Sequence, residues 1–242
     1  MTALLFKSHF KYILFDWDGT LRHSRPSFND SFYNFVIQAG LPAENEGKKK
    51  AQYWLHYYWA QSPELLVDIQ EIGDLDDPFW LNHARLHLLA YGCENDQAEQ
   101  LAPSLFTYMQ EVHNPQDWIP DDIFDTLIVL KKHGYILAIV SNRMKSYDTQ
   151  LADLGLNAYF EFALAGGELN AWKPDPVIFH YALKKLDACP EEVIYVGDNY
   201  FADVIGAEKA GIQAVLVDAE KIFPQATCPV INTMGELLPL VT

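Results

Sequence analysis

Hydrophobic and polar residues follow two alternating patterns along the second half of the chain. Residues 121–134, DDIFDTLIVLKKHG, carry apolar side chains three and four positions apart and end at a glycine, which is typical of an amphipathic helix. Residues 135–141, YILAIVS, are apolar nearly throughout, which is typical of a strand buried on both faces. We therefore predict an α/β fold, a parallel sheet covered by helices on both faces. The other predicted strands are 12–16, 161–166, 191–198 and 213–218, and the other predicted helices are 144–155, 175–187 and 201–211.

A long stretch after the first predicted strand has helical spacing only. Residues 25–113 contain several amphipathic segments and no convincing strand pattern. The segments on either side, RHSRPS and HNPQDWIPDD, contain proline and polar residues and are predicted to be connections. We therefore predict an all-helical domain at 25–113, inserted into an α/β domain formed by residues 1–24 and 114–242.

Composition narrows the possible partners. Lys and Arg number 17 against 33 Asp and Glu, which gives a formal net charge of −16 and argues against binding to nucleic acid or an anionic membrane. No apolar run approaches the length of about 20 residues that crosses a bilayer. The cysteines Cys93, Cys189 and Cys228 are odd in number and far apart, which suits neither a disulfide framework nor a zinc site. We expect a soluble cytoplasmic protein, and the sequence leaves its oligomeric state open.

Polar residues follow the carboxyl ends of the predicted strands, where parallel sheets bind their ligands. Each motif taken alone is ordinary turn chemistry, but helical patterns follow these motifs, so they are strand-to-helix loops and not hairpins. The residues concerned are Asp16, Asp18, Ser141, Asn142, Lys173, Asp198 and Asn199.

Several carboxylates at one sheet edge repel one another unless a cation lies among them. Magnesium prefers oxygen ligands and commonly also contacts a substrate phosphate. A carboxylate beside magnesium and a lysine is able to attack phosphorus, and a second carboxyl group is able to move the proton. The pattern therefore indicates phosphoryl transfer.

Four segments resemble, in order and spacing, the signature motifs of the haloacid dehalogenase-like (HAD) hydrolase superfamily. The resemblance covers residues 12–23 and about 121–218, and the inserted helical domain is similar in position to the helical cap of that family. It implies a Rossmann-like core domain with an inserted cap. The four segments are DWDGTL at 16–21, VSN at 140–142, KPDPVIF at 173–179 and GDNYFAD at 197–203.

The resemblance implies a role for each matching residue. Asp16 is expected to be the nucleophile and Asp18 the general acid and base, whose backbone carbonyl also binds magnesium. Lys173 is expected to neutralise Asp16 and the phosphate, which Ser141 contacts with Asn142 close by. The magnesium ligands are expected to be Asp16, Asp18 and Asp198, and the supporting residues Asp203, Gly19, Thr20 and Asn199, of which Asn199 is equally suited to capping the next helix.

The expected function is a magnesium-dependent phosphatase that hydrolyses a small phosphorylated metabolite through an aspartyl-phosphate intermediate. A phosphomutase, a haloacid dehalogenase or a non-catalytic binding relative on the same fold are the alternatives. Asp18 argues against a dehalogenase, because dehalogenases of this family carry no acid there. The complete set of chemical positions argues against a non-catalytic relative.

The chain departs from many relatives just after the first motif. Arg22, His23 and Arg25 stand where an acidic residue is common, and they are either solvated linker side chains or contacts for an anionic substrate. Trp17 replaces a smaller apolar residue and is expected to pack beside the strand.

The helical domain is rich in aromatic residues and histidines. Tyr53, Trp54, Tyr57, Tyr58 and Trp59 crowd one predicted helix, with Phe79 and Trp80 in the same domain, and they are expected to form a helical core or, alternatively, the wall of a substrate pocket. For His56, His83 and His87 we expect core or surface positions, because no third metal ligand lies within evident reach.

Overall fold

A computed structural model describes residues 10–73 and 76–242. The described chain divides into two compact units. The first, here called the sheet unit, contains the residues up to His23 together with Ile119–Thr242, and the second, here called the helical unit, is Ser24–Trp118. Within the described ranges, no helix combines the length and the apolar character that a membrane span requires.

A six-stranded sheet forms the centre of the sheet unit, with all neighbouring strands parallel and the order β5-β4-β1-β6-β7-β8. Alternate residues of β1 face opposite layers: Ile13 and Phe15 pack into one apolar cluster, and Leu14 packs into the other. The predicted parallel sheet buried on both faces is therefore confirmed. The strands in chain order are β1 Tyr12–Phe15, β2 His23–Arg25, β3 Gln116–Trp118, β4 Ile136–Ser141, β5 Phe160–Ala165, β6 Val193–Gly197, β7 Gln213–Val217 and β8 Val230–Ile231.

Five helices make up most of the helical unit. The first begins with a capping box, in which Ser27 and Asp30 satisfy each other's backbone N–H groups. The apolar residues of the helical unit form two clusters, one around Phe32 and Leu88 and one around Tyr58 and Phe79. The helices are α1 Phe28–Gln38, α2 Asn45–Trp59, α3 Pro63–Ile72, α4 Asp77–Tyr91 and α5 Asn95–Glu111.

The two connecting segments contain short strands that the sequence pattern did not reveal. β2 and β3 pair with each other in a two-stranded sheet, and three residues are too few to show a strand period. The guanidinium of Arg25 lies 3.4 Å from the centre of the Trp118 ring. This cation–π contact gives Arg25 a structural partner, which neither interpretation of that residue had anticipated.

The predicted helices of the sheet unit occur in the predicted order, two of them changed, and short helices at Gly166–Leu169 and Leu238–Val241 were not predicted. The predicted helix 144–155 forms only over Asp148–Asp153, and the predicted helix 201–211 begins as a π-helical turn, Tyr200–Val204. The Asn199 side chain accepts hydrogen bonds from two N–H groups of that turn and thereby starts it. The helices are α6 Asp121–Lys132, α7 Asp148–Asp153, α8 Gly166–Leu169, α9 Pro176–Leu186, α10 Ile205–Lys209 and α11 Leu238–Val241.

Candidate active site

Asp16 and Lys173 form a buried ion pair at the carboxyl end of β1. The lysine Nζ lies 2.5 Å from Asp16 Oδ1, and the two residues are 6% and 2% exposed. The same Nζ donates to Asp203 Oδ1 at 2.7 Å and to the Tyr195 hydroxyl at 2.9 Å. One ammonium therefore connects the first, third and fourth sequence motifs.

Asn142 holds the backbone of Lys173. Its amide Nδ2 donates to the carbonyl of Lys173 at 2.8 Å, and its Oδ1 accepts the N–H of Lys173 at 2.7 Å. Both ends of the amide are thus engaged with the lysine backbone. These contacts favour a positioning role over the expected contact with a phosphate. Ser141, which is buried at the end of β4, keeps its expected phosphate contact as a prediction.

Three carboxylates gather around the ammonium. Asp16, Asp198 and Asp203 each place an oxygen within 4.8 Å of the others. Burial raises the pKa of Asp16 to about 7 against the effect of Lys173, and burial followed by Asp16 raises the pKa of Asp198. Burial lowers the pKa of Lys173, but Asp16 and Asp203 outweigh burial and raise it above its ordinary value. The lysine is therefore charged, and one positive charge faces three carboxylates.

The loop after β1 approaches Asp198 very closely. Gly19 has φ +89°, and a Cβ at this position would lie 2.2 Å from an Asp198 carboxylate oxygen. The Thr20 hydroxyl lies 3.2 Å from the other oxygen of Asp198 and donates to it. Glycine is thus required both by its backbone angle and by the space it leaves. Gly19 and Thr20, which the sequence predicts as supporting residues, both lie against the Asp198 carboxylate.

The Asp18 side chain lies outside the carboxylate group and binds two arginines. Arg143 contacts both of its oxygens, with Nε at 2.7 Å from Oδ2 and Nη2 at 2.8 Å from Oδ1. Arg22 adds a third bond at 3.0 Å. Such two-pronged pairing fixes the orientation of the carboxylate. The arginines occupy both side-chain oxygens of Asp18, and the expected contact of its backbone carbonyl with magnesium stays a prediction.

Arg143 and Tyr195 are the two residues that the sequence analysis missed. Arg143 directly follows the second motif. A positive charge at the sheet edge where several carboxylates were predicted was the signal that could have identified it. The buried Tyr195 hydroxyl lies 2.9 Å from the Val140 carbonyl and 3.2 Å from Asp203 Oδ1. A tyrosine within the apolar strand β6 was a weaker signal, since aromatic residues are common in strands.

Asn199 and Asp203 of the fourth motif form hydrogen bonds with the backbone of the turn that follows β6. Asn199 uses its Oδ1 to accept from Phe201 N–H at 3.0 Å and from Ala202 N–H at 3.1 Å, as a helix cap does. Asp203 accepts the N–H of Asn199 at 2.8 Å through its second oxygen. Trp17 is fully buried and stacks on Tyr147, so its predicted packing role is confirmed.

In the helical unit, aromatic residues pack as a core. Tyr58 and Phe79 are fully buried, whereas Tyr53 is 38% exposed. The buried His83 and His87 lie among these rings, with His87 stacked on Phe32 at 3.6 Å between centroids. Of the core and surface positions expected for the histidines, these two occupy the core.

Comparison with known proteins agrees with these motifs. The family model described as "Haloacid dehalogenase-like hydrolase" matches residues 82–217. Haloacid dehalogenase-like hydrolase domain-containing protein 3 of Homo sapiens is 35% identical over 223 residues, which cover 90% of this chain and 85% of that protein. Phosphoglycolate phosphatase 1 of Pseudomonas aeruginosa is 24% identical over 235 residues, covering 95% and 79% of the two chains.

Solved structures show the same fold. The magnesium-bound HAD-hydrolase YfnB of Bacillus subtilis has a TM-score of 0.57 and 22% identity, covering 97% of this chain and 100% of that one. A 2-haloacid dehalogenase from Pseudomonas syringae has a TM-score of 0.54 and 23% identity, covering 96% and 97%.

Proposed function

The chain belongs to the haloacid dehalogenase-like hydrolases, and on that premise we propose that it is a magnesium-dependent phosphatase acting on a small phosphorylated metabolite. The observation that carries the proposal is the group of Asp16, Asp198 and Asp203, of which Asp16 and Asp203 are buried and pair with the ammonium of Lys173. We also propose that the helical unit serves as the cap that selects the substrate.

The donor set suits a hard divalent cation. Its ligand atoms are carboxylate oxygens, which magnesium prefers, and their excess negative charge over Lys173 calls for a further cation. Asp16, Asp198 and the backbone carbonyl of Asp18 would hold magnesium, with Asp203 behind them. When bound, magnesium supplies positive charge that makes a substrate phosphate electrophilic. The magnesium-bound relative YfnB supports this assignment.

The proposed reaction is based on the contacts of Asp16, Lys173 and Asp18. Lys173 fixes Oδ1 of Asp16, which leaves Oδ2 to attack the substrate phosphorus and form an aspartyl phosphate. The bond from phosphorus to the leaving oxygen breaks, and that oxygen takes a proton from Asp18. Water then attacks the aspartyl phosphate, Asp18 accepts its proton, and phosphate leaves. For this work one oxygen of Asp18 keeps its contact with Arg143, which orients it, and the other oxygen turns to the leaving oxygen.

The relatives support a phosphate ester as the substrate. Two of them are named phosphoglycolate phosphatase and glyceraldehyde 3-phosphate phosphatase, which act on esters, whereas a third, a pyrophosphatase, is named for an anhydride. The structural neighbour named as a 2-haloacid dehalogenase shares the fold, but Asp18 occupies the position where such dehalogenases lack an acid. The proposal therefore keeps phosphatase chemistry and leaves the particular metabolite to a substrate panel.

The test is hydrolysis of p-nitrophenyl phosphate and of a panel of phosphorylated metabolites, with magnesium and with a chelator. Asp16→Asn is expected to lower turnover by about 10⁴-fold or more, because it removes the attacking oxygen. Asp153→Asn makes the same change on the exposed face of α7 and is expected to leave turnover unaltered. Undiminished turnover in Asp16→Asn, or full activity in the chelator, would overturn the proposal.

A further inference from the structure

The hydroxyl of Tyr195 lies beside the ammonium of Lys173, inside the sheet unit. The tyrosine belongs to β6 and is fully buried, and it contacts β4 although β1 lies between these two strands. Its hydroxyl is 2.9 Å from the carbonyl of Val140, the residue before Ser141, and 2.9 Å from Nζ of Lys173. One hydroxyl therefore connects the lysine to the strand that ends in the second motif.

The three N–H groups of the Lys173 ammonium are matched by three acceptors. Two of these are carboxylate oxygens of Asp16 and Asp203, at 2.5 and 2.7 Å from Nζ, and the third is the Tyr195 hydroxyl at 2.9 Å. Acceptors in three directions hold the ammonium against rotation. Without the hydroxyl, two carboxylates would hold the ammonium, and its third N–H group would be buried without an acceptor among the described residues.

A neutral third acceptor suits the charges of this site. Asp16, Asp198 and Asp203 already place three carboxylates close together, and a fourth would add repulsion. The hydroxyl accepts the N–H group without adding charge, and its own proton has the Val140 carbonyl at 2.9 Å and Asp203 Oδ1 at 3.2 Å as acceptors. Phe179 packs edge-on against the Tyr195 ring, at 5.0 Å between centroids. The hydroxyl is therefore itself satisfied and held in place.

We propose that Tyr195 is a positioning residue of the phosphatase reaction, and that it acts by fixing the Lys173 ammonium on Oδ1 of Asp16. The inference rests on the function proposed above. With the ammonium fixed on Oδ1, Oδ2 stays clear of the lysine and keeps the orientation that attack on phosphorus requires. Tyr195 itself touches neither phosphate nor leaving group in this scheme, so its whole effect passes through Lys173.

The first measurement is hydrolysis of p-nitrophenyl phosphate, at saturating magnesium, by Tyr195→Phe, which loses the hydroxyl and keeps the ring. We expect kcat to fall by about 10- to 100-fold, since a hydrogen bond to a charged group is worth about that factor. KM is expected to change little, because the lost atom makes no contact with the substrate. Tyr181→Phe removes the same atom at an exposed position of α9 and is expected to leave both constants unaltered.

A double variant separates positioning from a purely structural effect. In Lys173→Met the hydroxyl has no ammonium to position, so adding Tyr195→Phe to Lys173→Met is expected to lower kcat no further. A hydroxyl that only joined β4 to β6 would instead lower kcat by the same factor in both backgrounds. Melting curves by circular dichroism set the assay temperature, which lies below the unfolding of every variant.

Each result decides the role of Tyr195. A fall in kcat at nearly constant KM that disappears in the Lys173→Met background supports it. Full kcat in Tyr195→Phe, a loss that appears in KM alone, or an equal further loss in the Lys173→Met background overturns it. A parent that hydrolyses the aryl phosphate while Tyr195→Phe keeps full kcat contradicts this inference alone, whereas a parent without magnesium-dependent hydrolysis contradicts the phosphatase proposal as well.

Discussion

The two units bury polar side chains in opposite ways. In the sheet unit, the buried Lys173 has three hydrogen-bond acceptors, in Asp16, Asp203 and Tyr195. In the helical unit, His83 and His87 are equally buried, yet each leaves Nε2 unpaired among the described residues. A satisfied network holds its members in one geometry, as chemistry requires, whereas buried polar atoms without a partner lower the stability of the unit that contains them.

Removing the ammonium is expected to give the largest effect. Lys173→Met leaves Asp16 and Asp203 buried without their cation, so turnover should fall by about 10³-fold and the free energy of unfolding by about 3–5 kcal/mol. Lys184→Met, on the exposed side of α9, should change neither. Aryl-phosphate hydrolysis and urea unfolding measure the two quantities. Equal stability of Lys173→Met and the parent would show that the network around Lys173 does not stabilise the sheet unit.

Releasing Asp18 is expected to have an intermediate effect. Arg143→Gln removes the two-pronged contact, so kcat should fall by about 100-fold through loss of orientation, while KM for a small aryl phosphate changes little. Lys145→Gln is the neighbouring exposed control. If kcat stayed unchanged while stability fell, the role of Arg143 would be structural only.

Lowering the pH is expected to have the smallest effect, a gradual loss of stability that arises in the helical unit. The pKa of His83 is lowered from 6.5 to about 3 by burial, so below pH 6.5 the unfolded chain binds a proton that the folded chain does not. Stability is therefore lost as the pH falls from about 6.5 toward 3, by about 1.4 kcal/mol per pH unit for this group.

Urea unfolding near pH 7 and pH 5 measures this loss. His83→Phe should flatten the dependence by the amount for one histidine, whereas His180→Gln at an exposed position should leave the slope unaltered. An equal slope in His83→Phe and the parent would show that His83 is not buried as a neutral ring.

The strand ends were predictable from the sequence because a parallel sheet brings the carboxyl ends of its strands to one edge. That rule alone placed Asp16 with Lys173 and Asp198, although 157 positions separate the first two. It did not predict Arg143, whose side chain reaches back to Asp18 along a path set by the loop. Nor did it predict that the Asn142 side-chain amide forms both of its hydrogen bonds with the backbone of Lys173.

Short elements and unpaired atoms were beyond sequence reasoning for a different physical reason. β8 has two residues and β2 and β3 have three, so none of them completes a recognisable period. For His83 and His87 the sequence left core and surface positions open, and the structure places both in the core. Whether a buried nitrogen finds a partner depends on distances of a few ångströms between helices, which no spacing rule supplies.

The contacts of Lys173 also set the order in which the site is completed during synthesis. Its acceptors come from residue 16, from residue 195 and from residue 203, so the last of them is made when more than four fifths of the chain already exists. A growing chain that ends before Asp203 carries Asp16 and Lys173 without their full set of neighbours. Ribosome-bound chains of increasing length should therefore gain phosphatase activity abruptly once residue 203 and the strand beyond it are free to fold.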